Sequence, residues 1–260
     1  MNVLIVHAHP DERSLTAALK DLAVTTLASQ GHTVVVSDLY AMKWQSAADF
    51  TDFEGITGPD FMHASGTATE TGRLSPDIRA EQRKLRDADL VILLFPLWWF
   101  TVPAILKGWI DRVFTYNFAY GAALGRYGSE GPLAGKRAML ATLTGGRAGH
   151  YTPRGVNGPI DDLLFPLNHG LLHFTGFDVL PPFVEHSAVH LAEADYERIT
   201  AHFRERLETA FTTAPIPYRT ESSSDYTAVT HPGASELAPG LEHPGTSGFA
   251  LHTGLASSEP

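Results

Sequence analysis

Leu90-Val91-Ile92-Leu93-Leu94-Phe95-Pro96-Leu97-Trp98-Trp99-Phe100-Thr101-Val102-Pro103-Ala104-Ile105-Leu106 is the stretch on which the fold turns. It is uncharged and apolar, which invites a membrane reading. A spanning helix needs about 20 such residues, and here two prolines interrupt the run. A short continuous apolar run bounded by proline reads instead as a strand covered on both faces of a parallel sheet. Residues 90–95 are therefore a strand, 96–103 a loop, and the residues beyond a helix. That helix is expected to show Ile105, Leu106, Trp109, Ile110, Val113 and Phe114 on one face, with Lys107, Asp111 and Arg112 on the other.

The same alternation extends in both directions. Upstream, residues 2–7 form another short apolar strand, followed by the polar turn His9-Pro10-Asp11-Glu12-Arg13. Ser14 is placed as the N-cap of a helix carrying Leu15, Leu19, Leu22 and Leu27, which Gly31 stops. Thr33 to Ser37 reads as a second strand, and residues 44–73 as a long surface excursion. Ser75-Pro76-Asp77 starts a helix, with proline at its first position and an acid in its first turn.

Downstream, Arg137 to Thr144 is a fourth strand, residues 159–174 an apolar helix and 178–184 a fifth strand. Ile199, Phe203, Leu207 and Phe211 mark a last amphipathic helix. Five strands with intervening helices predict an α/β fold, a doubly wound parallel sheet with helices on both faces. From Thr212 the composition shifts to Pro, Ser, Thr and Gly. The expected organisation is a domain over 1–212 and an extended tail over 213–260, packed on the domain or a partner subunit, or disordered.

Composition narrows the function. The chain has 260 residues, 43% hydrophobic and 18% charged, with 19 basic and 29 acidic residues and a net charge of −10. That material fills a core, and the charge argues against nucleic acid as main partner. There is no cysteine, which excludes a disulfide scaffold, a thiolate nucleophile and cysteine-based metal centres. With no leader pattern and no span, a soluble, cytoplasmic protein without membrane insertion is expected.

In doubly wound sheets ligands bind beyond the carboxyl ends of the strands, where strand order reverses. Three loops converge there. His9 to Ser14 opens a helix, whose N–H groups and positive end suit a phosphate, although a plain capped turn would look alike. Neither the G-x-G-x-x-G fingerprint nor a P-loop is present. Phe95 to Pro103 carries two tryptophans and a phenylalanine, either a hydrophobic plug or a wall awaiting a planar partner. Leu143 to Tyr151 contains Gly145 and Gly146, either a flexible connection or a platform that a ring can approach. Together a phosphate turn, an aromatic wall and a glycine platform fit a flavin.

Several longer segments resemble the NAD(P)H:quinone oxidoreductases of the DT-diaphorase type. They are Phe95-Pro96-Leu97-Trp98-Trp99-Phe100 with Val102 to Trp109, Ser37 to Met42, Leu74 to Ile78, Phe118-Ala119-Tyr120 and Leu172 to Phe177. The match runs in register to about residue 212 and is weak in the tail. The resemblance implies a flavodoxin-like homodimer with FAD (FMN less so) and shared active sites, which passes a hydride from NAD(P)H to a quinone in a two-electron, ping-pong cycle. An ancillary subunit of a membrane transporter, a nitro- or azo-compound reductase and a one-electron carrier are the alternatives.

By the same resemblance His9, Ser14 and Leu15 fall on the diphosphate turn. Pro96, Leu97, Trp98, Trp99 and Phe100 fall on the isoalloxazine loop, Asp111 near the cofactor, and Thr144, Gly145 and Gly146 on the platform. Tyr120 and Phe174 match aromatics that line the substrate slot from across the dimer. Tyr151 matches a catalytic tyrosine, but Asn157 stands where the family has the histidine that works with it. An amide cannot take up a proton near neutral pH, so Tyr151 with the glycine amides is expected to stabilise the reduced flavin while Asn157 orients the site.

His169 and His173, spaced i, i+4, could share a helix face and grip a metal. Tyr218 occupies the position where some relatives have a third, cysteine ligand. Packed helical histidines without metal are the expectation, and the remaining histidines, such as His186, His190 and those of the tail, among them His252, are read as solvated.

Overall fold

The computed structural model describes residues 1–57, 60–189, 191–228, 235–242 and 246–254. Strand β1 (Asn2–His7) leads to α1 (Leu15–Ser29), whose cap is Ser14: its Oγ accepts the N–H of Ala17 at 3.1 Å. Next come β2 (Thr33–Asp38), α2 (Phe61–Thr71), α3 (Pro76–Asp87), β3 (Leu90–Pro96), α4 (Ala104–Val113) and β4 (Arg137–Leu143). Then follow α5 (Ile160–Leu167), a π-helical segment (Asn168–His173), β5 (Asp178–Val179), β6 (Phe183–Glu185) and α6 (Glu193–Glu208).

The strand order is β2-β1-β3-β4-β5, all pairs parallel. β5 and β6 lie along the same strand β4, pairing Arg137–Ala138 and Ala141–Leu143 respectively. The fifth position predicted over 178–184 is thus filled in two pieces. Pro181 and Pro182 separate them, because proline cannot donate to a ladder. β3, every residue of it buried, is the centre of the sheet, and its alternate side chains feed two cores. Val91, Leu93 and Phe95 face α3 and α4, while Leu90, Ile92 and Leu94 face α1 and α6.

Three expectations are corrected. Residues 44–73 are not a bare excursion: they contain α2 and bury Trp44, Phe53, Ala64 and Ala68. Their short polar spacing hides a helix whose apolar face is made of alanines. Arg112 does not face solvent with Lys107 and Asp111, and is 4% exposed. Its Nη2 lies 2.6 Å from Asp52 and its Nη1 2.8 Å from Asp77, with its guanidinium 4.6 Å from the Trp44 ring. A buried charge is tolerated only when paired in this way. The apolar helix over 159–174 changes pitch after Leu167, next to Pro166, which cannot donate the regular backbone hydrogen bond.

The described part of the tail lies on the domain. The Ile216 N–H donates to Val179 at 2.7 Å, Tyr218 bridges Thr253, and the Phe249 ring stacks on Phe165 at 4.3 Å. β7 (Tyr226–Ala228) and β8 (Ser235–Leu237) form an antiparallel pair. No helix among the described residues is long and apolar enough to cross a membrane.

Candidate active site

The order β2-β1-β3 reverses the winding between β1 and β3, which opens a crevice at their carboxyl ends. A cavity of about 260 Å³ sits there, lined by His9, Ser14, Leu15, Pro96, Trp98 and Gly145 among others. The three predicted loops do meet. The His9 and Trp98 rings lie 5.9 Å apart, and the Leu97 N–H donates to Leu143 at 2.8 Å.

Each loop has a definite local geometry. The first N–H groups of α1, those of Leu15 and Thr16, precede any intrahelical acceptor. The aromatic loop is a two-residue reverse turn: Trp98 and Thr101 exchange both backbone hydrogen bonds at 3.0 Å, with Trp99 and Phe100 at φ 52° and 63°. Two bulky residues in the left-handed region cost of order 1–3 kcal/mol each, strain that clusters at functional sites. The turn leaves Trp99 92% exposed.

The third loop is held as a platform. Thr144 donates its N–H to Glu185 at 2.8 Å, and Ser187 and Ala188 donate theirs to Gly146 and Thr144 at 2.9 Å. The N–H groups of Gly145 and Gly146 have no acceptor among the described residues. A Cβ on Gly145 would stand 3.0 Å from Val189, and one on Gly146 2.9 Å from the Tyr151 ring. Free donors at a helix start, an aromatic wall and a glycine cradle without side chains fit the diphosphate and the flat polar ring of a flavin.

The other predicted residues are distributed differently. Tyr151 lies over Gly146, while Asn157 is tied to the same turn through its N–H, which donates to His150 at 2.9 Å. Asp111 is not at the cavity: it pairs with Lys107 at 2.7 Å on the outer face of α4. Phe100 faces a second groove of about 490 Å³ between α4 and α5, with Ile110, Leu163 and Leu167. Tyr120 rests edge-on against Tyr116 and Phe174 against Tyr127, both outside the crevice within one chain.

His169 and His173 are buried among Phe165, Tyr127, Tyr218 and His252. His173 Nε2 lies 3.1 Å from the Arg219 carbonyl. Burial, with His173 and His252 close by, pushes His169 down to about 4. No group of three His, Cys, Asp or Glu among the described residues could hold a metal. His190 lies outside the described residues. His186, read as solvated, is in fact half-buried: its Nδ1 is 3.0 Å from Thr144 Oγ1 and its ring stacks on Tyr151 at 5.1 Å. Sequence gave no signal for it, because the contact spans 42 residues.

The flavodoxin-like fold family matches residues 1–210. A ribosyldihydronicotinamide dehydrogenase-like protein of Penicillium crustosum is 47% identical, over 97% of this chain and 96% of its own length. NAD(P)H dehydrogenase [quinone] 1 of Cavia porcellus is 40% identical over 85% of this chain and 82% of its own. A Klebsiella pneumoniae structure, provisionally described as a quinone reductase, superposes with a TM-score of 0.90 at 45% identity, covering 97% of this chain and 99% of that one. The fold defines a flavodoxin-like protein. Within that class, the chain belongs to the flavodoxin-like family of NAD(P)H:quinone oxidoreductases.

Proposed function

We propose that the chain reduces quinones with two electrons drawn from a dihydronicotinamide, using FAD held in the β1/β3 crevice. The observation that supports this reading most is the convergence of the capped α1 start, the strained tryptophan turn and the 144–146 platform on one cavity. FAD is chosen over FMN on the family resemblance. When bound, the flavin supplies the two-electron carrier chemistry that no side chain offers.

The chain's own residues bind, orient and exclude water. Ser14 Oγ and the N–H groups of Leu15 and Thr16 hold the diphosphate beside His9. Pro96, Leu97 and Trp98 wall the ring, and Gly145 and Gly146 donate to its polar edge while Thr144 holds the platform. Tyr151, over Gly146, stabilises charge at that edge, and Asn157 orients the turn. The exposed Trp99 and Phe100 and the α4–α5 groove supply an apolar face for a second copy, and a homodimer would bring the partner's aromatics across the slot. Tyr120 and Phe174, remote from the chain's own crevice, would serve the partner's site. We place this activity in the cytoplasm.

The test is steady-state oxidation of NADH, NADPH and dihydronicotinamide riboside with a simple benzoquinone by the purified protein. Turnover with at least one donor is expected, and none with any donor would overturn the reading. The name of the Penicillium relative favours the riboside as the donor to try beside NAD(P)H.

A further inference from the structure

The geometry points to His186 as the positioning residue that takes up a proton when negative charge arrives at the platform edge. This rests on the proposed function. His186 is the imidazole directly behind that edge, joined to it through Thr144 and to Tyr151 through its ring face.

The hydrogen bonds fix its tautomer. The Thr144 hydroxyl has one proton and donates it to the Gly146 carbonyl at 3.0 Å. It therefore accepts from His186, whose Nδ1 carries the hydrogen at 3.0 Å. Nε2 is left as a lone pair that makes no hydrogen bond among the described residues. Burial lowers the ring's proton affinity, opposed by Glu185, so the ring is neutral at pH 7. The groups facing it are few: Tyr151 on the 148–151 turn, Thr144 after β4, and Glu185, whose carboxylate is engaged by Arg198 and His202 of α6 at 3.1 and 3.2 Å.

Charge balance asks for such a group. A hydride equivalent delivers two electrons with one proton, so the reduced site gains one negative charge unless a second proton enters. Neutral His186 can take that proton from solvent at Nε2, becoming an imidazolium stacked on Tyr151. It returns the proton to solvent when the electron pair leaves to the quinone. Asn157 cannot do this. The positive ring is attracted to the Tyr151 ring face on which it stacks.

The test follows His186 by NMR in ¹³C-histidine-labelled, flavin-loaded protein. Its titration midpoint is expected at least one pH unit higher in dithionite-reduced than in oxidised protein, a tenfold gain in proton affinity. His186→Phe keeps the stacked ring, and His186→Gln keeps a donor to Thr144. Both are expected to lose the histidine limb of the kcat/KM pH profile, and Asn157→His in the His186→Phe background to restore it. A flavin-loaded, active parent whose His186 midpoint does not move with reduction overturns this inference alone. A parent that cannot hold flavin overturns the proposed function with it.

Discussion

At the scale of single residues, two sites carry most of the consequence. Gly146 has no room for a methyl group, because its Cβ would stand 2.9 Å from the Tyr151 ring and 3.1 Å from its hydroxyl. Gly146→Ala must displace Tyr151 from the platform. Flavin affinity is expected to fall at least tenfold, about 1.4 kcal/mol, with the fold intact, as a fluorescence-quenching titration would read. Unchanged affinity would show that the platform is not at the ring edge. The Arg112 and Asp52 side chains are each 3% exposed and mutually bonded, so removing Asp52 leaves the buried guanidinium with Asp77 as its one acid partner. Because Asp77 still pairs with Arg112, Asp52→Ala is expected to cost about 3 kcal/mol of stability, the low end for a broken buried pair, measurable by urea denaturation. A loss under about 1 kcal/mol would mean that water reaches the pair.

At the scale of elements, the tail rests on the π-helical segment through a ring cluster whose histidines are uncharged. His169, near 4 when packed against ~6.5 when free, binds its proton less readily in the folded state. Its contribution to docking is therefore full above about pH 6.5 and is lost as pH falls toward 4. His173 and His252, also lowered by burial, act in the same direction. Limited proteolysis of the tail is expected to accelerate between pH 6.5 and 4, and less so in His169→Phe. Equal cleavage of both proteins at pH 5 would contradict this.

This cluster also marks where sequence reasoning stops. The strands were legible because parallel strands are apolar on both faces, and Ser14 or Pro76 because caps are local chemistry. The buried face of α2 was not, since Ala64 and Ala68 carry no hydrophobic signature and the pattern is weak. Nor was the fate of Arg112, whose acid partners Asp52 and Asp77 lie 60 and 35 residues away. Of the candidate site, the three loops were legible from fold logic. Asp111 lies on the outer face of α4, away from this chain's own cavity, and His186 was missed because a contact across 42 residues leaves no local trace.

At the scale of the whole molecule, the chain places its crevice, its exposed tryptophan turn and its α4–α5 groove on neighbouring surfaces, as Phe100 lines the groove and Trp98 the cavity. If the proposed homodimer forms through this groove, Leu163→Glu is expected to shift it to monomer in sedimentation and to lower quinone turnover with it. A dimer unaffected by the charge would place the interface elsewhere. The central claim is the flavin itself, and the most direct measurement is to purify the protein, release what it carries and weigh it. One FAD per chain is the result this account predicts; a colourless protein that takes up neither FAD nor FMN when offered would contradict it.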